Sequence, residues 1–167
     1  MSAAKHIYFL SESPKETFDL GAKIGKNLSA GDVLALNGGL GSGKTVFVQG
    51  LAKGLGIKNR GKISSPTFAL IQEHRGKIPL CHVDLYRLAK NEIPGIGLEE
   101  YWQEEAPAWV VAVEWADKVS GFLPEKNTYR VEFETVAEKK RKIIFYEAKK
   151  WKKILKNIEK KFQDPAG

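Results

Sequence analysis

One short stretch of the chain has the residue types and spacing of a phosphate-binding loop. The pattern G-x-x-x-x-G-K-[S/T] is met by the residues Gly38-Gly39-Leu40-Gly41-Ser42-Gly43-Lys44-Thr45. Glycine lets the backbone approach a polyphosphate closely, and successive backbone N–H groups can then donate to its oxygens. We expect the Lys44 ammonium to contact the β- and γ-phosphates and the Thr45 hydroxyl to bind Mg²⁺. The pattern therefore predicts a nucleotide site.

Two carboxylates are candidates for organising Mg²⁺ and an attacking water beside this loop. Asp84 follows the largely apolar residues 80–83, which include His82, and Glu114 follows the apolar residues 109–113. An acid with this role sits at the C-terminal end of an apolar strand. In an open α/β sheet such strand ends can share one edge, so we expect both acids to face the loop. The alternative for either one alone is an ordinary acid at the start of a loop.

Three other side chains near these motifs have a functional and a structural interpretation. Thr67 follows a proline on a loop, where a mobile segment could sense the γ-phosphate, but a turn threonine fits the pattern equally well. Trp115 directly follows Glu114 and could cover the nucleotide, or it could pack in the core or at its rim. His82 shares a strand face with Asp84, and we interpret it as a structural histidine. No H-x-H or C-x-x-C pattern suggests zinc.

The segments around these residues predict the elements that position them. Apolar residues 33–36 predict a buried strand before the loop, and apolar positions at helical spacing in 46–55 predict a helix after it. A capping pattern predicts that an earlier helix begins at Pro14. Further strands are predicted over 6–10, 67–74, 78–84, 108–113, 129–133 and 143–146. The fold class is therefore α/β, with a P-loop NTPase-like central mixed sheet flanked by helices in a single compact domain, residues 1–167.

Some of these elements have a more specific prediction. Strands 67–74 and 78–84 are expected to form an antiparallel hairpin, and 108–113 a central parallel strand with both faces covered. Strands 129–133 and 143–146 are expected to join the sheet later and be half exposed. Proline and glycine within 94–97 should break any helix over 88–103, which re-forms over 98–102. A terminal amphipathic helix is predicted from the apolar residues Trp151, Ile154, Leu155, Ile158 and Phe162.

Composition limits the class of protein. The chain has 167 residues, 43% of them hydrophobic, and no run long enough to span a membrane. It has one cysteine, Cys81, so no internal disulfide can form; we expect a reducing, cytoplasmic location and a small buried thiol. Residues 1–138 carry 16 Lys/Arg and 17 Asp/Glu, for a charge of −1, whereas residues 139–167 carry 11 and 3, for a charge of +8. The positive charge is therefore concentrated in a lysine-rich C-terminal segment, 139–167.

The order of the motifs resembles the bacterial TsaE (YjeE) family, P-loop ATPases needed to make threonylcarbamoyladenosine in tRNA. The chain has GxxGxGKT at 38–45, SPTF at 65–68, H-x-D-L-Y-R-L at 82–88, V-E-W at 113–115 and Leu-Pro at 123–124. The resemblance covers roughly residues 7–135. Many families share the loop alone, whereas this ordered set is highly specific.

The resemblance implies slow intrinsic ATPase activity with ATP and Mg²⁺. It also implies docking onto a TsaB–TsaD complex that modifies tRNA, so that tRNA is met indirectly. On the matching positions, Glu114 is the acid near Mg²⁺ and Asp84 a second functional acid. Trp115 is their neighbour at the site, and Thr67 belongs to a switch-like segment. Lys44 and Thr45 bind phosphate and Mg²⁺.

The chain departs from the family pattern in three places. The loop usually reads Gly-Asp-Leu-Gly-Ala-Gly-Lys-Thr, and here Gly39 and Ser42 replace Asp and Ala; neither position must supply a side chain to phosphate. The family often has a Gly-Arg pair before its last strand, where this chain has Glu-Lys-Lys-Arg at 138–141. The resemblance therefore carries over no adenine contact from that arginine. It also does not explain the lysine-rich terminal helix.

Two other classes of function compete with the ATPase. A P-loop small-molecule kinase usually needs a lid of arginines, and the chain has no arginine between Arg87 and Arg130. A basic RNA-binding protein with a structural nucleotide site is supported only by the lysines of 139–161, which could equally form the solvated face of a helix. A GTPase is disfavoured because the guanine-reading N-K-x-D motif is absent.

Overall fold

The computed structural model describes residues 5–58, 63–64, 70–103, 109–156, 158 and 162–163. These residues form one mixed sheet with α-helices on one side. The strands are β1 (Ile7–Ser11), β2 (Val33–Gly38), β3 (Ile71–His74), β4 (Leu80–Asp84), β5 (Val110–Glu114), β6 (Thr128–Thr135) and β7 (Arg141–Phe145). The α-helices are α1 (Pro14–Asn27), α2 (Lys44–Gly54) and α3 (Ala148–Leu155).

The sheet has seven strands in the order β1-β7-β6-β2-β5-β4-β3. The four central strands β6, β2, β5 and β4 run parallel, and the remaining pairs are antiparallel. This arrangement confirms the predicted mixed sheet, the β3–β4 hairpin and the central parallel position of β5. Strand β6 lies between β2 and β7 and is partly exposed, as predicted. The prediction that the last strand is half exposed is wrong, because Ile143, Ile144 and Phe145 of β7 are all buried. Because β2, β4 and β5 are parallel, their C-terminal ends meet at one edge.

Each face of the sheet has its own core. Leu34 and Leu36 of β2 face α1, α2 and α3, whereas Val33 and Ala35 face the opposite layer. That second layer contains 3₁₀ helices over Lys90–Ile96, Leu98–Tyr101 and Ala116–Val119. Burial on both faces explains why the central strands are continuous apolar runs without alternation.

Helices α1 and α2 pack with their backbones almost in contact. A Cβ atom at Gly21 would lie 2.3 Å from the Phe47 carbonyl oxygen, and one at Gly50 would lie 2.1 Å from the Phe18 carbonyl oxygen. No side chain fits at either position without moving a helix. This close packing fixes α2, and with it the start of α2 next to the loop.

The predicted boundaries need three adjustments. Helix α3 ends at Leu155, so Ile158 and Phe162 pack against the core from outside the helix. The segment predicted to re-form a helix over 98–102 is a 3₁₀ helix over Leu98–Tyr101, which follows the left-handed Gly97 (φ 70°). Strand β3 begins at Ile71, and residues 67–69 of the predicted strand lie outside the described part of the chain.

Among the described residues, no helix combines the length and the apolar character that crossing a bilayer requires.

Candidate active site

The glycine-rich segment 38–43 joins the end of β2 directly to the start of α2. Gly38, Gly41 and Gly43 all have positive φ, at 149°, 70° and 99°. Residues with a side chain rarely adopt these angles, so the glycines at these positions are required by the backbone. Gly43 is also the N-cap of α2, which places the positive end of the helix dipole at the loop. The local structure is the strand–loop–helix arrangement in which such loops bind phosphate.

Lys44, the first residue of α2, folds back over the loop. Its Nζ donates to the carbonyl oxygens of Gly38 at 2.5 Å and Gly39 at 2.8 Å, and it lies 3.4 Å from Ser42 Oγ. The side chain is only 5% exposed. Burial lowers the pKa of Lys44, and the charge of Glu114 opposes that shift. The ammonium is therefore held where the loop would enclose a phosphate.

Thr45 and Glu114 join the loop to strand β5. Thr45 Oγ1 donates to Glu114 Oε1 at 3.0 Å, and the same carboxylate oxygen lies 2.9 Å from His82 Nε2. Because a carboxylate only accepts, Nε2 carries the ring proton in this pair. Glu114 is 3% exposed and His82 is fully buried. The carboxylate is thus held between two donors at the end of the sheet.

Asp84 lies beside Glu114, since these two residues are paired across the parallel strands β4 and β5. Its Oδ1 accepts from the backbone N–H of Tyr86 at 3.0 Å, and the side chain is buried. Both strand-end acids therefore face the loop, as the sequence predicted. The prediction that His82 is only a structural residue did not foresee its contact with Glu114. The shared strand face of His82 and Asp84 was the one available signal.

Trp115 covers Lys44 from the side of β5. Its backbone is left-handed (φ 60°), which costs a residue with a side chain about 1–2 kcal/mol. The indole ring lies 4.6 Å from Lys44 Nζ and 5.1 Å from the ring of Tyr86. Lys118 fixes this corner, because its Nζ donates to the backbone carbonyls of Leu85, Tyr86 and Leu88.

A cleft of about 320 Å³ is lined by the loop residues 40–45 together with Asp84, Tyr86, Glu114 and Trp115. The cleft also has a basic rim. Arg141, at the start of β7, donates from Nη2 to the Gly41 carbonyl at 3.0 Å. Its Nη1 donates to the carbonyls of Ala137, Glu138 and Lys140. Lys139 lines the same cleft. Nearly a hundred positions separate Lys139 and Arg141 from the loop, so the one sequence signal for this segment is the arginine that the family pattern places before the last strand.

The cleft has the chemistry that a nucleoside polyphosphate with Mg²⁺ needs. A hydroxyl and a carboxylate oxygen converge beside the loop, and Mg²⁺ is usually held by one or two such protein ligands plus substrate phosphates. Within the described residues, no group of three or more His, Cys, Asp or Glu side chains could hold a metal ion by itself. Of the predicted site residues, only Thr67 lies outside the described part of the chain.

The fold and the cleft together define a P-loop protein with a mixed sheet. The family model described as "Threonylcarbamoyl adenosine biosynthesis protein TsaE" matches residues 11–143. The chain therefore belongs to the TsaE family.

Individual relatives agree with this assignment. A Nostoc protein named tRNA threonylcarbamoyladenosine biosynthesis protein TsaE is 47% identical over 113 residues, covering 66% of this chain and 68% of the relative. A Treponema pallidum protein of the same name is 38% identical, covering 80% of this chain and 96% of its own. The crystal structure of Bacillus subtilis YdiB superposes with a TM-score of 0.72 at 28% identity, over 93% of this chain and 98% of that one.

Proposed function

We propose that this chain binds ATP with Mg²⁺ and hydrolyses it slowly in the synthesis of threonylcarbamoyladenosine in tRNA. The observation that carries the proposal is the 3.0 Å contact between Thr45 Oγ1 and Glu114 Oε1, next to Lys44. A loop hydroxyl and an acid at a neighbouring strand end are the pair that holds Mg²⁺ in P-loop enzymes. The choice of pathway is supported by the names of the family and of the two curated relatives.

Five residues of the cleft then have proposed roles in binding or hydrolysis. When bound, Mg²⁺ neutralises charge on the phosphate oxygens. Lys44 would exchange its two loop carbonyls for phosphate oxygens, and the oxygens of Thr45 and Glu114 are the ones that would hold the metal. Asp84 lies beside Glu114 and orients the attacking water. Trp115 covers the phosphate end of the cleft.

Partner binding is the second part of the proposal. Leu40 and Tyr86 line the cleft and are 70% and 46% exposed, so its mouth presents apolar surface to a protein that covers it. We assign that role to a TsaB–TsaD complex in the cytoplasm, so that the cleft itself meets tRNA only indirectly, through that complex. Thr67, which lies outside the described residues, is proposed to respond to the γ-phosphate.

A retention experiment tests the proposal as a whole. The tagged full chain is mixed with the TsaB–TsaD pair in ATP, in ADP and without nucleotide, and ATP turnover is measured with and without the pair. We expect retention to depend on the nucleotide and turnover to rise with the pair present. Equal retention in all three conditions, together with unstimulated turnover, would contradict the partner assignment.

Replacing Asp84 with alanine should lower ATP turnover by about tenfold and leave ATP affinity nearly unchanged. Losing one charge-assisted hydrogen bond to water at the transition state corresponds to about 1.5 kcal/mol. Turnover is measured in the presence of the partner pair. Asp19→Ala, which removes an aspartate on the surface of α1, is the matched control. If both variants turn over like the wild type, Asp84 is only a strand-end acid.

Replacing His82 with alanine should weaken the apparent affinity for Mg²⁺ by about tenfold, because a residue that orients a metal ligand typically contributes that much. His82 acts here as a positioning residue through its 2.9 Å contact with Glu114. The readout is a Mg²⁺ titration of nucleotide binding. His82→Gln keeps a side-chain N–H donor and should recover most of the affinity. If the alanine and glutamine variants lose the same affinity, His82 does not position Glu114.

A further inference from the structure

The C-terminal helix presents a single stripe of lysines to solvent. The stripe consists of Lys149, Lys152, Lys153 and Lys156, and all four are exposed. Their spacing of i, i+3, i+4 and i+7 places them on one side of α3 and its C-cap. On the opposite side of α3, Trp151, Ile154 and Leu155 are buried in the core. The orientation of the stripe is therefore fixed by the packing of the helix.

Within the described chain the stripe forms no ion pair. The acid that its charge reaches is the buried Asp32: burial raises the pKa of Asp32, and the charge of Lys153 opposes that shift. The ion pair that α3 forms among the described residues, between Lys150 and Glu147 at 3.9 Å, involves a lysine outside the stripe. None of the four stripe lysines lies within 4 Å of a described carboxylate oxygen. Lysines three and four positions apart on a helix repel one another. The stripe therefore lowers the intrinsic stability of the helix.

The stability of the helix does not explain this arrangement. Cations are favourable in the last turn of a helix, where Lys152 and Lys153 lie, but unfavourable in the first turn. Lys149 lies in the first turn of α3, which contains no acidic residue. The helix also lies beyond residues 11–143, the range matched by the TsaE family model. The family assignment therefore does not account for the stripe.

We propose that the lysine stripe binds the phosphate backbone of RNA, and of tRNA in particular. A basic amphipathic helix can also lie on an anionic membrane, but it must insert its apolar face to do so. Here that face is already buried against the sheet. A stripe of unpaired ammonium groups on a docked helix fits a polyanion that needs no apolar contact. The choice of tRNA among RNAs rests on the proposed function.

The stripe and the nucleotide cleft lie at opposite ends of α1. Pro14, at the start of α1, lines the cleft, whereas Asn27, at its end, donates to the Ile154 carbonyl of α3 at 2.8 Å. The 14 residues of α1 span about 20 Å. Changes in the stripe should therefore leave ATP binding by the isolated chain unaffected.

The test measures binding of the full chain to an unmodified tRNA transcript at salt concentrations from about 50 to about 200 mM. One variant replaces all four stripe lysines with glutamine. Its matched control replaces four exposed lysines elsewhere with glutamine: Lys23, Lys77, Lys90 and Lys126. The control therefore has the same net charge as the stripe-to-glutamine variant. A third variant replaces the stripe lysines with arginine. ATP binding and thermal unfolding are measured for every protein.

We expect the stripe-to-glutamine variant to bind tRNA at least about tenfold more weakly at low salt. The slope of log K against log salt should become less steep by about 3, as expected for four lost phosphate contacts. The control and arginine variants should bind like the wild type, and ATP affinity should be the same in all proteins. If the wild type does not bind ATP, the proposed function is contradicted. The comparison of tRNA binding among the variants would still test the stripe.

Three outcomes would overturn the RNA assignment. One is a wild type that does not bind tRNA at low salt. Another is equal loss of tRNA binding in the stripe-to-glutamine variant and its charge-matched control, which would indicate an effect of net charge alone. The third comes from a binding assay with vesicles of phosphatidylglycerol and phosphatidylcholine. If the stripe-to-glutamine variant loses vesicle binding but binds tRNA like the wild type, the stripe binds a membrane and not RNA.

Discussion

Replacing Lys44 with alanine should weaken ATP binding by roughly 10- to 150-fold. The substitution removes a charge-assisted contact to phosphate that is worth about 1.5–3 kcal/mol. Lys44 is buried over the loop and already donates to two loop carbonyls, so it needs only a small movement to reach a phosphate. The measurement is a titration with a fluorescent ATP analogue in the presence of Mg²⁺.

Lys53→Ala provides the matched control for this prediction, because Lys53 is an exposed lysine in the last turn of the same helix. It should bind ATP like the wild type. Thermal unfolding of both variants separates a lost phosphate contact from a loosened loop. Unchanged ATP affinity in Lys44→Ala would show that the nucleotide does not bind at residues 38–45. Tighter binding of GTP than of ATP would contradict ATP as the nucleotide.

Replacing Glu114 with alanine should remove most of the dependence of nucleotide binding on Mg²⁺. In the wild type we expect Mg²⁺ to tighten binding, and in the variant we expect that gain to fall by about 10- to 100-fold, since even residues that only orient a metal ligand contribute this much. The reason is that the carboxylate supplies one of the two protein oxygens that meet beside the loop. Binding is measured with Mg²⁺ and with a chelator.

Two further variants make the Glu114 result specific. Glu114→Gln keeps the volume of the side chain and can still accept from Thr45, but it removes the charge that the metal requires. It should therefore resemble the alanine variant in its response to Mg²⁺ while retaining thermal stability better. Glu134→Ala removes an exposed acid from β6 and should have no effect. A wild-type response to Mg²⁺ in both Glu114 variants would remove this residue from the metal site.

The sequence alone was sufficient to predict the local parts of the site. The loop, the strand before it and the helix after it follow from glycine positions and apolar spacing within about twenty residues, and those patterns are set by backbone geometry. Asp84 and Glu114 were predicted in the same way, because each ends an apolar strand. The structure places both at the edge of the sheet beside the loop. Their roles with Mg²⁺ and water remain predictions.

Only the tertiary structure decided which distant residues complete the cleft. His82 contacts Glu114 across 32 positions, and Arg141 contacts the Gly41 carbonyl across 100. Both contacts depend on strand order and register, because a shift of one residue would turn either side chain to the other face of the sheet. The sequence pattern contains the alternation of faces but not the order in which strands pair.

For the C-terminal helix, too, the sequence predicted the local feature and the tertiary structure decided the contacts. Its period predicted that Trp151, Ile154 and Leu155 would be buried and that lysines would face solvent, because a helix of this pattern must cover its apolar face. The place where it docks was set by packing beside α1, where Asn27 bonds to the Ile154 carbonyl from 127 positions away. Periodicity determines which face of a helix is buried. The surface against which α3 packs is formed by residues from distant parts of the chain. The distance between the lysine stripe and the nucleotide cleft could therefore be known only from the tertiary structure.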